Sequence, residues 1–204
     1  MKIFQVRTPL NLINIDYDFC LINRKDIQTN KELFDNLCRN GCPNFGKKYS
    51  CPPYSPKFEF LGKEFEYLFL ARFSCDLNQI NSNEYNKIRI ANSVMKSRMD
   101  KLMRNLEEKI GGIFLSNGSC RLCKPCLCKE GKPCKHPKKR RYSLESTGIN
   151  VDYLAEKYFN KKLLWYDSKL GKSPEYTCVV SALFCSKDNF EALEMAFIDG
   201  LKSI

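Results

Sequence analysis

Five cysteines fall within fifteen consecutive positions of the chain, in the stretch GSCRLCKPCLCKEGKPCKHP at residues 118–137. They are Cys120, Cys123, Cys126, Cys128 and Cys134. Three kinds of structure need that many thiols so close together: a disulfide framework, a zinc site or an iron–sulfur cluster. Each of them fixes the path of the backbone around it, so this stretch constrains the fold more than any other part of the sequence.

The rest of the sequence argues against disulfides. The first residues, MKIFQVRTPLNL, lack the basic region, the apolar region and the small-residue cleavage site of a secretory signal. No uncharged apolar run approaches the roughly 18 residues of a membrane span. We therefore expect a cytoplasmic protein with no membrane partner, in a compartment where thiols stay reduced. Twelve cysteines in a chain of 204 residues then indicate metal binding.

The spacing within the stretch favours an iron–sulfur cluster. Cys120, Cys123 and Cys126 follow the pattern C-x2-C-x2-C, which lets one loop cover three corners of a cubane [4Fe-4S] cluster. Cys134 is the natural fourth ligand. Structural zinc favours two short knuckles separated by a longer spacer, which this segment lacks, so zinc is the alternative cofactor. Cys128 is a surplus thiol that can replace Cys134 as a ligand or lie nearby.

A second group of three cysteines lies upstream, in CRNGCPNFGKKYSCPPYSP. Cys38, Cys42 and Cys51 are the thiols of this group, and a proline that stiffens the loop follows both Cys42 and Cys51. With three thiols, the group is either completed by a distant cysteine or left with one open coordination position. A closed site stores structure or electrons, whereas an open one can bind and polarise a substrate. The distant candidates are Cys20, Cys75, Cys128, Cys178 and Cys185.

The positive charge of the chain is concentrated in the downstream cysteine loop. The formal net charge is +11, and residues 121–141 contain nine Lys or Arg against a single acid, Glu130. Such a surface can steer the protein onto an acidic redox partner or hold an anionic small molecule. Nucleic acid is a third partner to consider, because Tyr49, Tyr54 and Tyr142 could stack on bases.

Strand and helix patterns alternate along the chain and predict an α/β fold. The predicted strands are residues 64–75, 113–116, 163–166 and 177–184, and the predicted helices are residues 84–110, a helix capped by Asn150 and a last helix opened by Ser186 or Asp188. We expect a single domain over residues 1–204, with a mixed sheet flanked by helices. The cysteine-rich metal-binding loops, at about 38–55 and 118–142, are expected at the strand ends.

Three motifs also resemble those of a family of cysteine-rich predicted metal-binding proteins from anaerobic archaea and bacteria, a DUF2284-like domain of unknown function. The stretches are CRNGCPNFGKKYSCPP, GSCRLCKPCLC with PCKHP, and YSLESTGINV, in that order. The resemblance covers roughly residues 38–151 and implies metal binding without an activity. It implies one ligand group of Cys38, Cys42 and Cys51, and a second of Cys120, Cys123, Cys126 and Cys134. Cys128 is an addition to the family pattern.

The third of these motifs matches the family at Ser143, Glu145, Gly148, Ile149 and Val151. Leu144 stands where the family has Met, and Ser146 stands where it has Ala. Glu145 is the candidate for a catalytic residue, because a carboxylate beside an open metal site can transfer a proton. Pairing with one of the neighbouring cations is the more ordinary role for such a residue.

Three functions are compatible with these patterns. We favour a two-cluster electron-transfer protein or subunit. The alternative is an enzyme whose three-cysteine [4Fe-4S] cluster has an open iron site that binds or activates an anionic substrate or a sulfur atom. The third reading is a zinc-stapled nucleic-acid binder, which depends on the basic loop.

Overall fold

In the computed structural model, which describes residues 2–204, five strands form one sheet. They are β1 (Ile3–Arg7), β2 (Leu12–Asn23), β3 (Tyr67–Asp76), β4 (Ile113–Leu115) and β5 (Tyr176–Cys185). Their order across the sheet is β1-β2-β3-β5-β4, and every neighbouring pair is antiparallel. The α/β class and the sheet flanked by helices are confirmed, whereas the sheet is antiparallel rather than mixed.

The position of β5 explains why the sheet is not mixed. Four helices flank the sheet: α1 (Lys31–Gly41), α2 (Glu84–Ile110), α3 (Val151–Phe159) and α4 (Phe190–Leu201). The long helix α2 carries the chain from β3 to β4, and these two strands run in the same direction, as in a strand–helix–strand crossover. The last strand, β5, inserts between them and runs the opposite way, so it makes both contacts antiparallel.

The two faces of the sheet bury separate hydrophobic clusters. On β3, Phe69 and Phe73 face the cluster that α2 and α4 cover, and Leu68 and Leu70 face the cluster that α3 covers. This alternation follows from the period of two along a strand. Because both faces are covered, β3 and β5 are apolar along nearly their whole length, which is why both were predicted from the sequence.

The helix α2 begins and ends where its sequence pattern predicts. The Asn83 side chain accepts a hydrogen bond from the Asn86 N–H at the start, and Gly111, with φ of 90°, ends the helix. Its buried side chains are Ala91, Met95, Met99, Leu102, Met103 and Leu106. No helix within residues 2–204 combines the length and the apolar character needed to cross a membrane.

The later elements agree with prediction except for one strand. Asn150 caps α3 by accepting from the Tyr153 N–H, and α4 follows a short 3-10 turn whose cap is Ser186. The predicted strand at 163–166 is wrong. Its backbone is irregular because the Leu163 N–H donates to the Asp152 carboxylate at 2.8 Å rather than to a neighbouring strand.

Two elements were not predicted. The β1–β2 hairpin turns at Thr8, whose N–H donates to the Asn11 carbonyl at 2.8 Å, and its strands alternate buried residues with polar ones. The helix α1 buries none of its residues, and Leu33 and Leu37 on it are exposed. The sequence pattern of α1 is nevertheless amphipathic, with Leu33, Phe34, Leu37 and Cys38 on one side, so the helix that carries Cys38 could have been predicted.

Candidate metal centre

The third sequence motif connects the other two in space. The Ser116 N–H, just after β4, donates to the Tyr142 carbonyl at 2.7 Å, and the Leu144 N–H returns a bond to the Ser116 carbonyl at 3.2 Å. At the other end of the motif, the Asn30 N–H donates to the Gly148 carbonyl at 2.7 Å. The motif therefore links the end of β4, where the downstream cysteine loop begins, to the start of α1.

Gly148 is required by this connection. Its φ is +97°, and a Cβ placed there would lie 2.9 Å from both the N and the Cα atoms of Lys31. Only glycine combines that backbone conformation with so close an approach. The start of α1 is thus held against the third motif, and the position of α1 sets the position of the upstream cysteines.

The upstream cysteines lie at the end of α1 and in the loop that follows. Cys38 is in the last turn of the helix, and Cys42 caps it, with its N–H donating to the Cys38 carbonyl at 3.0 Å. A four-residue separation on a helix places two side chains on one face. Cys51 is buried in the loop, where its carbonyl accepts from the N–H groups of Tyr54 and Ser55.

The three upstream thiols influence one another electrostatically. Burial raises the pKa of Cys38, and the nearby Cys42 and Glu145 raise it further. Burial also raises the pKa of Cys51 to about 11, with Cys42 and Cys38 adding to the effect while the Ser50 hydroxyl and Lys48 oppose it. The charges of these three thiols therefore act on one another, although the three are not arranged to hold a single metal ion. Their role as metal ligands stays a prediction.

The downstream group is gathered in irregular backbone around one short 3-10 turn, Leu127–Glu130. Partial burial raises the pKa of Cys123, and the charges of Cys126, Cys120 and Cys134 raise it further. The four predicted ligands thus share one neighbourhood.

Cys126 is the thiol of this group best prepared to ionise. Partial burial acts to raise its pKa, but the nearby backbone N–H groups of Cys128 and Tyr49 and the Cys123 thiol outweigh it, so that the pKa is lowered overall. Donors aimed at a sulfur atom favour the thiolate, which is the form that binds metal.

Cys128 lies beside the downstream group and is buried. Its thiol donates to the Gly46 carbonyl at 3.7 Å, and burial together with Cys126 and Cys134 raises its pKa while the Tyr54 hydroxyl lowers it. It remains an alternative ligand to Cys134, and the same contact ties it to the upstream loop.

The two cysteine loops are bonded directly to each other. Lys48 Nζ donates to the Ser119 hydroxyl at 3.0 Å and to the Cys120 carbonyl at 2.9 Å. The Cys120 N–H donates to the Ser50 hydroxyl at 2.9 Å, and the Tyr49 hydroxyl donates to the Lys132 carbonyl at 2.6 Å. Residues 48–50, which no spacing rule singles out, therefore join a loop that holds Cys51 to a loop that holds Cys120.

The basic segment remains largely open to solvent. Seven of its nine cations are exposed: Arg121, Lys124, Lys129, Lys132, Lys135, Lys138 and Lys139. Arg141 pairs with Glu107 at 2.7 Å, and the Arg140 guanidinium lies over the rings of Tyr49 and Tyr142. Two of the three tyrosines considered for base stacking are thus engaged within the protein.

The cysteines on the strands are not gathered into either group. They are Cys20, Cys75, Cys178 and Cys185, and burial raises their pKa values to about 12 for Cys20 and about 11 for each of the others. No thiol of the two loops is among the charges that act on them. The structure offers no sign that one of these four completes the group of Cys38, Cys42 and Cys51.

The donor chemistry fits a thiolate-bound metal group. Within residues 2–204, no set of three or more His, Cys, Asp or Glu side chains is arranged to hold one metal ion. A cubane makes a different demand, because its four thiolates bind four separate irons. Both groups consist of thiols alone, and thiolates select zinc, copper(I) and iron–sulfur clusters. The residues present therefore suit a soft metal rather than calcium or magnesium.

The fold and its thiol groups define a cysteine-rich α/β protein with two linked loops suited to a soft metal. The sequence model of one family, described as predicted metal-binding protein (DUF2284), matches residues 20–181, and the chain belongs to this family. No curated protein and no solved structure matches the chain. The resemblance seen in the sequence motifs is thereby confirmed.

Proposed function

We propose that the protein is an iron–sulfur electron carrier with two centres in its linked loops. Cys120, Cys123, Cys126 and Cys134 would hold a [4Fe-4S] cluster, which takes up and releases single electrons. Cys38, Cys42 and Cys51 would hold a second centre. The observation that supports the proposal is the set of hydrogen bonds between residues 48–50 and residues 119, 120 and 132, which joins the two cysteine loops.

The surroundings of Cys126 suit a thiolate-bound cluster. The backbone N–H groups of Tyr49 and Cys128 help to lower the pKa of its thiol, and N–H groups close to a cluster sulfur tune its reduction potential. One of these groups comes from each loop, so the upstream loop contributes to the surroundings of the downstream group. The same N–H groups would also stabilise a zinc-bound thiolate, so the preference for iron–sulfur rests on the C-x2-C-x2-C spacing.

The basic segment supports docking to an acidic redox protein. Its exposed cations lie among the residues that would hold the cluster. A partner attracted to this surface would therefore dock next to the cluster, within reach for electron transfer. Reduced thiols persist in the cytoplasm, and we place the function there.

An enzyme with an open site is the second candidate, and Glu145 favours it. This carboxylate is close enough to raise the pKa of Cys38, in the group that has three thiols rather than four. It would then stand beside an iron with one position free for a substrate or a sulfur atom, where it could transfer a proton. Small ligands added to the reduced protein would in that case change the spectrum of one centre and leave the other unaltered.

Metal and sulfide analysis of protein purified without oxygen tests the proposal. We expect about eight iron with matching sulfide per chain if both groups hold cubanes, and about four if the downstream group alone does. Electron paramagnetic resonance of the reduced protein should show two signals that broaden each other, because the centres are adjacent. Zinc without sulfide would overturn the redox function and favour the alternative function, a zinc-stapled nucleic-acid binder.

Charge reversal tests the docking surface. The double variant Lys138→Glu/Lys139→Glu should slow electron transfer from an acidic redox protein roughly tenfold at low salt, since steering by a charged patch acts on the association rate. The matched control reverses two exposed lysines elsewhere, Lys25→Glu/Lys187→Glu. Equal rates for the two double variants would exclude the basic segment as the docking site.

A further inference from the structure

A cavity of about 180 Å³ lies between α2, the third motif and β5. Its polar wall includes Lys96 from α2, Asn117 from the segment after β4, and Glu145 from the third motif. Its apolar wall includes Val151 and Trp165. The cavity thus joins a charged end to a hydrocarbon-like end, which is typical of a site for a small amphipathic molecule.

Asn117 brings an unused hydrogen-bond donor to this site. The side chain is 7 % exposed, and its Oδ1 accepts from Arg121 Nη2 at 3.4 Å. Its Nδ2 is buried and has no partner in the part of the chain that the structure describes. Buried amides without partners are rare in native proteins because they cost free energy. Water does not reach Nδ2, so a ligand oxygen would satisfy this donor once the side chain turns toward the cavity.

Lys96 supplies a second unused donor, with a charge. It is partly buried, and among residues 2–204 it forms neither an ion pair nor a hydrogen bond. Burial lowers its pKa, Glu145 raises it, and Arg121 lowers it again. Glu145 is therefore near enough to act on Lys96 but does not neutralise it by direct contact.

The charges around the cavity favour a monoanion. The two charges that line the cavity, those of Lys96 and Glu145, cancel. Among the other charges that act on its lining, Arg72 is paired with Asp16, and Arg121, Lys161 and Asp152 leave an excess of one positive charge. A carboxylate matches this excess and has two acceptor oxygens for the two free donors. The volume sets the size: liquid water occupies about 30 Å³ per molecule, so the cavity has room for about six non-hydrogen atoms.

We propose that this cavity binds a small monocarboxylate whose oxygens accept hydrogen bonds from Lys96 and Asn117. The short hydrocarbon chain of the ligand packs against Val151 and Trp165. This inference goes beyond the electron-carrier function and does not depend on which metal the loops hold. Glu145 contributes to both regions, since it lines the cavity and its charge reaches Cys38.

Butyrate and butyramide provide a matched pair of probes for the full-length protein, purified without oxygen. Both have six non-hydrogen atoms, and they differ in charge. Trp165, the only tryptophan in the chain, borders the cavity but is 77 % exposed, so equilibrium dialysis rather than its fluorescence is the primary measure of occupancy. We expect saturable binding of butyrate, measured by equilibrium dialysis with labelled ligand, and binding of butyramide at least roughly tenfold weaker, because it lacks the charge-assisted hydrogen bond.

Variants locate the binding. Lys96→Met should weaken butyrate binding at least roughly tenfold. Lys101→Met, which removes an exposed lysine from the same helix, should leave it unchanged. Asn117→Asp keeps the shape of the side chain and puts a negative charge where the ligand oxygen would lie, so it should abolish binding. If circular dichroism shows that Lys96→Met does not fold, butyrate binding to Asn117→Asp tests the proposal instead.

Several results would overturn the proposal: no saturable butyrate binding, equal binding of butyrate and butyramide, equal losses in the two lysine variants, or undiminished binding to Asn117→Asp. Inorganic phosphate that binds where butyrate does not would replace the carboxylate with a different anion. Metal content measured on the same samples separates this outcome from failure of the electron-carrier function, because neither lysine is a predicted ligand.

Discussion

Four cysteines lie on strands and eight lie in the segments 38–51 and 120–134, and the two sets meet opposite surroundings. We call them sheet cysteines (Cys20, Cys75, Cys178 and Cys185) and segment cysteines (Cys38, Cys42, Cys51, Cys120, Cys123, Cys126, Cys128 and Cys134). A strand uses its N–H and C=O groups in the ladder, so a sheet thiol finds mainly hydrocarbon around it. Irregular backbone leaves N–H groups free to favour a thiolate, and the N–H groups of Cys128 and Tyr49 lower the pKa of Cys126 in this way.

The difference shows that fewer cysteines are candidate metal ligands than the total of twelve suggests. The sheet cysteines behave as small hydrophobic residues, and three of them have pKa values near 11 and one near 12. Cys51 is a segment cysteine that is also buried, with a pKa raised to about 11, but a hydroxyl and a lysine oppose the effect. A thiol with so high a pKa loses its proton at neutral pH only when a metal ion replaces that proton on the sulfur.

The largest difference between the two sets should appear in metal content. Cys126→Ser should lose the metal of the proposed downstream centre completely, because a serine hydroxyl stays protonated at neutral pH and does not replace a thiolate ligand. Cys185→Ser, in the sheet, should keep the full metal content. Iron, zinc and sulfide analysis of both variants measures the effect. Loss of metal from Cys185→Ser would erase the distinction between the two sets.

Thiol reactivity should separate Cys126 from the sheet cysteines by about a hundredfold. At pH 8 a thiol with the ordinary pKa of 9.0 is about a tenth ionised, whereas Cys185, with a pKa of about 11, is about a thousandth ionised. After removal of metal with a chelator, iodoacetamide should therefore modify Cys126 at least about 100-fold faster than Cys185. Mass spectrometry of timed samples follows each site.

The same shift has a consequence for stability. A thiol whose pKa is raised by folding keeps its proton to a higher pH in the folded state, so its contribution to stability is complete below pH 9 and is lost as the pH rises toward 11.

In the labelling experiment, equal rates of modification of Cys126 and Cys185 at pH 8 would contradict the assignment of Cys185 to a buried apolar environment.

The link between the two regions can be weakened at Gly148. Gly148→Ala should lower the free energy of unfolding by about 2–4 kcal/mol, because alanine strains a positive φ and its Cβ collides with the backbone of Lys31. Gly131→Ala is the control: its φ is also positive, at +67°, but an added Cβ meets nothing within 4 Å. Urea denaturation of the two variants isolates the collision from the strain. Equal losses would show that the contact with α1 contributes nothing.

The smallest effect is expected from truncation of a sheet cysteine. Cys75→Ala should lower the free energy of unfolding by about 1–2 kcal/mol, since it leaves a small void in a fully buried position, and should leave the metal content unchanged. Cys20→Ala, at a partly exposed position, should cost less. The urea midpoints of the two variants test this order. A reversed order would mean that the sheet thiols are held by something other than packing.

The elements that the sequence predicts well are those with a dense apolar pattern. Residues of α2 that face the core recur every three or four positions, and β3 and β5 form short apolar runs. The helix α1 has an amphipathic pattern as well, but it is short, lies in a cysteine-rich segment and packs against the third motif rather than the core. The strand predicted at 163–166 fails because its apolar residues line a cavity instead of joining the sheet.

The two cysteine groups were separable from their spacing, but their mutual contact was not. Lys48 and Cys120 are 72 residues apart in sequence, and no local pattern relates them. The place of Lys96 in the cavity could not be predicted for a similar reason, because Lys96 lies between Met95 and Met99 on a helix whose pattern indicates core packing. Both contacts depend on how distant segments meet, and a single sequence carries no direct record of that.

The place of β5 in the sheet also sets an order of events during synthesis. The edge strand β4 pairs with β5 and with no other strand of the described chain, and β5 emerges from the ribosome some 60 residues later. Until residues 176–185 are made, the cysteine loop that follows β4 has no sheet to anchor it. Metal delivered to a nascent chain would therefore meet cysteines in a loop that the sheet does not yet hold in place. The proposed centre would form only after the polypeptide is complete.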